Sequence, residues 1–422
     1  MLSDKECANK LADHFSQISQ TFEPLHIEKL PNNVKAKIKE GISARDKPYL
    51  EEYEVYNKLK SIKKPNSKVD GDIPKKLLVE LMPEFTVPIT VMFNKITEST
   101  QYPNDWKREE QIPIGKVSSP ESEDEIRNLS KTKFLSKLYE GFLCDWLLPQ
   151  VQPYLDPHQY GGMKGSSVNH YLVKLLNFIH KGLNMRDPQA VILACLDLSK
   201  AYNRGSASIA LVDLFDMHVS PFLLAIIASY MQNRSMVLIF NGVCSEVKKM
   251  PGSFSQGCYL FMILFIIQFN GALLRPQVPR CICEQSEKVC LESRKNIQAK
   301  LKQNRLNFSQ GMTCKFIDDC CTSYSISLKE GLELVSEPYP KPVTYNQRTG
   351  HKMKQNHNQI QMRVNEFCDF TDKNKFVINK KKCEAMVFNP SQNFAFPPDI
   401  SVNNSTIINE VSSIKLFGLI IQ

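Results

Sequence analysis

The chain has 422 residues and 42% hydrophobic content, enough for two or three ordinary domains and a sizeable core. A formal net charge of +9 favours a polyanionic partner, although a modest positive excess also occurs on proteins that bind nothing acidic. The polar opening Met1-Leu2-Ser3-Asp4-Lys5-Glu6-Cys7 has no apolar signal core, so nothing suggests secretion, and the 13 cysteines, an odd number, read better as reduced thiols than as a disulfide framework. An intracellular chain with reduced thiols, nuclear or cytoplasmic, is expected.

Residues 1 to about 60 read as helical, with Leu11 and Phe15 one turn apart and Val55, Leu59 and Ile62 stepping by roughly one turn. Lys58, Lys60, Lys63, Lys64 and Lys68 surround the turn signal Pro65-Asn66-Ser67, which suits a solvated face and phosphate binding equally well. Pro74 begins a helix that keeps Leu77, Leu78 and Leu81 on one face until Pro83 ends it. Trp106 and Lys107 precede a short strand over residues 111–116. The run Gly161-Gly162-Met163-Lys164-Gly165-Ser166-Ser167 lacks Walker spacing and reads as a glycine turn. Ser166 or Ser167 then caps a helix carrying Tyr171, Leu172, Leu175, Leu176 and Ile179.

The apolar run 191–196 is short enough for a strand and ends in Asp197, the way an α/β sheet presents a carboxylate at its carboxyl edge. Residues 223–228 and 259–269 read as buried helices, the second well short of the roughly 20 residues of a membrane span. From Arg275 to Phe308 runs a polar insert with eight basic residues against three acidic ones, fitting a solvated loop or contact with duplex phosphates. Within it Cys281, Cys283 and Cys290 lack the paired spacing of a zinc site. Lys315-Phe316-Ile317 leads into Asp318-Asp319 and then Cys320-Cys321-Thr322-Ser323-Tyr324-Ser325-Ile326, a strand, tight turn and strand. Adjacent carboxylates repel unless a cation sits between them, and a hard oxygen-seeking ion such as Mg²⁺ fits; a solvated Asp-Asp turn is the plainer alternative. Residues 337–356, with Pro338, Pro340, Pro342 and Gly350, look like a second loop, and His351 and His357 carry no metal-site spacing. A helix near residues 360–372 leads into 376–379, a turn, and 384–388.

Three of these pieces, Leu196-Asp197-Leu198-Ser199-Lys200-Ala201-Tyr202, Ser255-Gln256-Gly257-Cys258 and Phe316-Ile317-Asp318-Asp319, resemble in order and spacing the palm motifs of reverse transcriptases of the non-LTR (LINE-type) retrotransposon family, its D-L-S-K-A-F, P-Q-G-S and F-A-D-D blocks. Asp70-Gly71-Asp72-Ile73-Pro74 and Ile112-Pro113-Ile114-Gly115-Lys116 resemble its fingers blocks, Gln159-Tyr160-Gly161-Gly162 the block before the palm, and Asn379-Lys380-Lys381-Lys382-Cys383 with Lys415-Leu416-Phe417-Gly418 the last two palm blocks.

The resemblance implies an α+β right-hand polymerase core, with a ferredoxin-like palm of antiparallel sheet plus helices and helical fingers. It divides the chain into an N-terminal helical linker (1–60), fingers (61–185) and palm (186–422, with the basic insert at 271–310), with no thumb, endonuclease or RNase H segment. It implies an RNA-directed DNA polymerase with an RNA template, a DNA primer and deoxynucleoside triphosphates as partners, and no membrane. Asp197 and Asp318 would hold two Mg²⁺ ions about 4 Å apart, with Asp319 in support. Tyr202 would lie beneath the sugar, Gln256 would touch the nucleotide, and Lys116 and Arg127 would neutralise the triphosphate. Lys382 would protonate departing pyrophosphate, though an exposed turn lysine is an equal reading. The chain departs from the pattern at Ser255 (for proline), Phe261 (for glycine), Asn203 (for a second Asp) and Asn128-Leu129, where a proline is lost. Those departures leave a second expectation, a truncated, inactive retroelement relic that only binds nucleic acid, and a third, a folded protein whose acids are simple turn residues.

Overall fold

Local chemistry sets the first helix. The Ser3 hydroxyl accepts from the Glu6 N–H and the Glu6 carboxylate accepts in return from the Ser3 N–H at 2.7 Å, a reciprocal cap on α1 (Asp4–Ser19). Leu11 and Phe15 of α1 are buried, as are Val55 and Leu59 of α3 (Glu52–Lys60), which follows α2 (Asn32–Ser43). Next come α4 (Lys75–Glu80) and α5 (Met82–Ser99). Pro83 sits in the first turn of α5, where its missing N–H leaves no bond unmade, so it opens a helix where a stop was expected. The expected apolar face of α4 is not buried either: Leu77 and Leu81 are each 41% exposed and Leu78 alone of the three is in the core.

The chain continues through β1 (Arg108–Gly115), β2 (Ile126–Lys131), α6 (Phe134–Val151), α7 (Val168–Leu183), β3 (Gln189–Leu196), α8 (Ala207–Asp216), α9 (Pro221–Met231), β4 (Ser235–Phe240), β5 (Val243–Cys244), β6 (Lys248–Lys249) and α10 (Tyr259–Phe269). It ends with β7 (Gly311–Phe316), β8 (Asp319–Ser327), α11 (Gln347–Lys373), β9 (Glu384–Phe388) and the short strands β10 (Ser401–Val402), β11 (Thr406–Ile407), β12 (Asn409–Glu410), β13 (Ile414–Leu416) and β14 (Leu419–Ile421), an α+β chain. This computed structural model describes residues 2–62, 72–184, 189–272, 311–327, 347–388, 400–402, 406–417 and 419–421. Lys63, Lys64, Lys68, Asp70, Gly71, the basic insert with Cys281, Cys283 and Cys290, Pro338, Pro340, Pro342 and Gly418 lie outside the described residues. Helix α11 begins at Gln347, inside the stretch read as loop, because its Gln, Lys and Met residues favour a helix enough to carry Gly350. Among the described residues no helix is long and apolar enough to cross a membrane.

Two compact units form, residues 1–155 with 202–268 and residues 156–201 with 269–422. In the first, the sheet runs β2-β1-β4-β5 with β6 also on β4, and β1 and β4 are parallel. Helix α1 lays Ala8, Leu11, Ala12 and Phe15 on Met236, Leu238 and Met250. Beneath β1 and β4 a buried ion pair, Arg234 to Glu109 at 3.3 Å, is completed by Gln111 and Ser130, which donate to Glu109 Oε1 at 2.8 and 3.2 Å. In the second unit the sheet order is β12-β9-β3-β8-β7. Helix α7, capped by the Ser167 hydroxyl, packs Tyr171, Leu175 and Ile179 against Val191, Leu193, Met312, Cys314, Cys321 and Met386. Arg363 of α11 donates to the Thr313 and Thr322 hydroxyls at 3.1 Å each, and Ile360, Val364 and Phe367 of the same helix are fully buried.

One buried group of α6 makes stability depend on pH. Glu140 is 1% exposed; its Oε1 accepts from Ser136 at 3.2 Å and its Oε2 has no hydrogen-bond partner. Burial pushes its carboxyl up to about 7, against the opposing pull of Arg234, Ser136 and Lys137 and with a smaller push from Glu109. The folded state therefore holds this proton more tightly than the unfolded chain does. Its contribution is complete below the ordinary value of 4.5 and is lost as pH rises towards about 7, a change of about 3 kcal/mol. Urea unfolding of Glu140→Gln should lack that share of the wild-type loss between about pH 5 and pH 8.

Candidate active site

The second unit brings three acids to one end of its sheet. Strand β3 is buried through Ala190 to Ala194, and its last rung with β8 is Leu196↔Cys320. Asp197 directly follows that rung and Asp319 directly precedes it, so both leave the same end of neighbouring antiparallel strands. Strands β7 and β8 close on the rung Phe316↔Asp319, leaving Ile317-Asp318 as a two-residue turn with Asp318 at its tip. Asp197, Asp318 and Asp319 are all partly exposed.

The turn is strained. Ile317 has φ of 59°, a left-handed value that a β-branched residue adopts only under compulsion, at a cost of about 1–3 kcal/mol. The compulsion comes from Gln159, whose side-chain Oε1 accepts from the Ile317 N–H at 2.9 Å while its Nε2 donates to the Ile317 carbonyl at 3.2 Å. The same Oε1 accepts from the Gly161 N–H at 3.0 Å. Main-chain bonds from Lys315 N–H to His158 O (2.9 Å) and from Tyr160 N–H to Lys315 O (2.8 Å) dock this segment on β7. Gly161 must be glycine here, because a Cβ would stand 2.5 Å from the Ile317 nitrogen.

Beneath the turn, Lys315 is fully buried. Its ammonium has three partners for its three protons: the Asp156 carboxylate at 2.7 Å and the carbonyls of Asn270 and Ala272 at 3.1 and 2.9 Å. The Asn270 side chain accepts from the Asp156 N–H at 2.7 Å. Burial alone would raise the Asp156 carboxyl, but Lys315 and hydrogen bonds from His158 outweigh it and hold the group well below the usual carboxylate range.

A third segment closes the end of the sheet. Ser199 N–H donates to Val377 O at 2.7 Å, Leu198 bridges Ile378, and Asn379 N–H donates to the Asp197 carbonyl at 2.8 Å. The turn that follows carries Lys380, which donates to the Thr406 hydroxyl at 3.1 Å, and the exposed Lys382. Asp197, Asp318, Asp319 and Lys382 are therefore gathered by backbone pairing within one unit.

The other sequence-predicted residues belong to the first unit. Tyr202 opens a 3₁₀ turn and stacks on Phe265, centroids 4.9 Å apart at 22°. Gln256 accepts through its main-chain carbonyl from Ser130 N–H at 2.8 Å, next to Gly257, whose φ of 120° and 2.7 Å approach of a notional Cβ to Ser130 O require glycine. The β1–β2 hairpin carries Lys116 and Arg127 at one end, through the rungs Gly115↔Ile126 and Ile114↔Arg127. Lys116 donates to the Asp124 carbonyl at 2.6 Å and Arg127 is exposed. Asn203 donates to Asn128 Oδ1 at 3.4 Å, and Asn128 in turn to Gln111, extending the buried network of the first unit. Phe261 is core, stacked on Phe254 at 5.3 Å with Arg234 over its face at 4.7 Å.

Among the described residues no group of three or more His, Cys, Asp and Glu is assembled as a ready metal cage. Mg²⁺ rarely uses one: it is held by one or two carboxylates, waters and substrate phosphates, and the all-oxygen set at this sheet end fits that chemistry. No protein-family model matches the chain, and no curated protein matches it in sequence.

Sequence reasoning missed Gln159 as a clamp and the Lys315–Asp156 pair. The signal for the second was a lysine inside an otherwise uncharged strand, Met312-Thr313-Cys314-Lys315-Phe316. Lys315→Met should cost roughly 3–5 kcal/mol at neutral pH by stranding the Asp156 charge, and Lys315→Met/Asp156→Leu should recover most of it in urea unfolding. The wild-type contribution of Asp156 is present above its ordinary value of 3.8 and falls away as pH drops below it. Gln159→Ala should destabilise by roughly 1–3 kcal/mol by leaving Ile317 N–H and C=O unpaired, and Ile317→Gly in that background should restore part of the loss on the same assay.

Proposed function

We propose that the protein is an RNA-directed DNA polymerase of retroelement type, acting inside the cell, which adds deoxynucleotides to a primer 3′-hydroxyl on an RNA template. The observation that carries this reading is the departure of Asp197 and Asp319 from one end of paired strands, with Asp318 at the tip of the clamped two-residue turn. The right-hand polymerase core and ferredoxin-like palm are part of the same proposal, supported by the antiparallel β9-β3-β8-β7 sheet with α7 and α11 packed on it.

Asp197 and Asp318 would hold two Mg²⁺ ions, with Asp319 in support. When bound, the ions supply polarisation of the primer hydroxyl and neutralisation of the leaving pyrophosphate. Lys382, on the turn bonded to Asp197, is a proton source for the pyrophosphate. Lys116 and Arg127 present cations to the triphosphate, Gln256 contacts the nucleotide, and Tyr202, fixed by its stack on Phe265, meets the sugar.

The test is extension of a labelled DNA primer on an RNA template with deoxynucleotides and Mg²⁺. Wild type should extend the primer, and chelation, Asp197→Ala or Asp318→Ala should reduce extension to background while leaving salt-dependent duplex binding in place. Extension undiminished in Asp318→Ala overturns the reading. Duplex binding without synthesis in Mg²⁺ or Mn²⁺ establishes the relic that only binds nucleic acid.

A further inference from the structure

Behind the acid cluster lies a thiol pair that the polymerase reading does not use. Cys195 of β3 and Cys321 of β8 are opposite members of one antiparallel rung, both are free thiols, and their sulfurs are 3.0 Å apart. Opposite residues of an antiparallel pair have Cα atoms about 4.5–5.5 Å apart, inside the range of about 4.4–6.8 Å that a disulfide accepts. Forming the bond therefore needs the sulfurs to close by about 1 Å and no change of register.

The two thiols differ in access. Cys195 is partly exposed, whereas Cys321 is 3% exposed. Cys321 has a second opposite neighbour, Cys314 of β7, fully buried on the same sheet face. Alternate residues of a strand share a face, so the pair stands one step behind Asp197 on β3 and one step behind Asp319 on β8.

We propose that Cys195 and Cys321 are a peroxide-oxidised pair that forms a reversible cross-strand disulfide directly behind the acid cluster. The Cys195 thiolate attacks one peroxide oxygen, the O–O bond breaks, and sulfenic acid and hydroxide form, the hydroxide taking up the thiol proton as water. The Cys321 sulfur then attacks the sulfenic sulfur, the S–O bond breaks, and the oxygen leaves as water with the Cys321 proton. In sum two thiols and one hydrogen peroxide give one disulfide and two waters, with sulfur oxidised and peroxide oxygen reduced. A dithiol reverses it by exchange.

The full chain is treated with graded hydrogen peroxide, capped with a thiol alkylator in denaturant, digested without reduction and mapped by mass spectrometry. The expected product is a Cys195–Cys321 linked peptide, lighter by two hydrogens than its reduced parts, lost on treatment with dithiothreitol and still formed in Cys314→Ala. Cys244 is exposed and gauges the reach of the oxidant. Oxidation of Cys244 with Cys195 and Cys321 both still alkylated overturns the proposal, as does a Cys314–Cys321 link or oxidation of Cys195 to sulfinic acid with Cys321 free. The wild-type map decides without any variant, and it reads mass alone, so failure of polymerase activity leaves it untouched.

Discussion

The second unit depends on one charge kept away from water. An ammonium at the 0% exposed Lys315 is tolerable only because a carboxylate and two carbonyls meet all three of its protons. Those partners come from two places far from β7 in the chain: Asp156 and the residues just after α10. Satisfying the lysine therefore fixes where the segment 156–161 runs, and that segment supplies Gln159 and Gly161 to the turn above. A hydrophobic residue at 315 would pack as well but would not dictate that path. The strain at Ile317 is held by the same arrangement, so the position of Asp318 follows from a buried electrostatic requirement three residues away.

The first unit uses its buried charge differently. Arg234 meets Glu109 across the parallel β1–β4 pair and lies over the faces of Tyr230 and Phe261. The bulky Phe261 is thus accommodated in a cluster where Arg234 lies 4.7 Å from two aromatic rings that also pack on each other, centroids 4.9 Å apart. The polar chain from Glu109 through Gln111 and Asn128 reaches Asn203, and Ser130 N–H reaches the Gln256 carbonyl. An amide at 203 suits that chain: its NH₂ is a donor that an aspartate would lack.

What the sequence made legible was whatever depends on neighbours in the chain. The apolar run of β3, the hairpin around Asp318-Asp319, the buried helices α9 and α10 and the Ser167 cap were all readable from period, length and capping chemistry. Boundaries set by competing signals were not. Pro83 could end one helix or open the next, and Gly350 and nearby polar residues could punctuate a loop or ride in α11. Least legible were partners far apart in the chain, such as Gln159 with Ile317, 158 positions away, because no local pattern marks an amide that brackets a distant peptide. The interleaving of the two units was hidden for the same reason.

That interleaving has a consequence for how the chain is made. Strand β3 is apolar on both faces and pairs with β8 and β9, and the rung between Cys195 and Cys321 joins residues 126 positions apart. At a synthesis rate of about 5–20 residues per second, β3 waits roughly 6–25 s for its first partner, while the first unit can already close once residue 268 has emerged. A folded first unit then tethers an unpaired, sticky strand, an opening for association with other nascent chains. The Cys195 thiol near the end of that strand would lack its opposite partner throughout this interval, so the strand stands first as an unpaired edge and only later as the centre of a finished sheet.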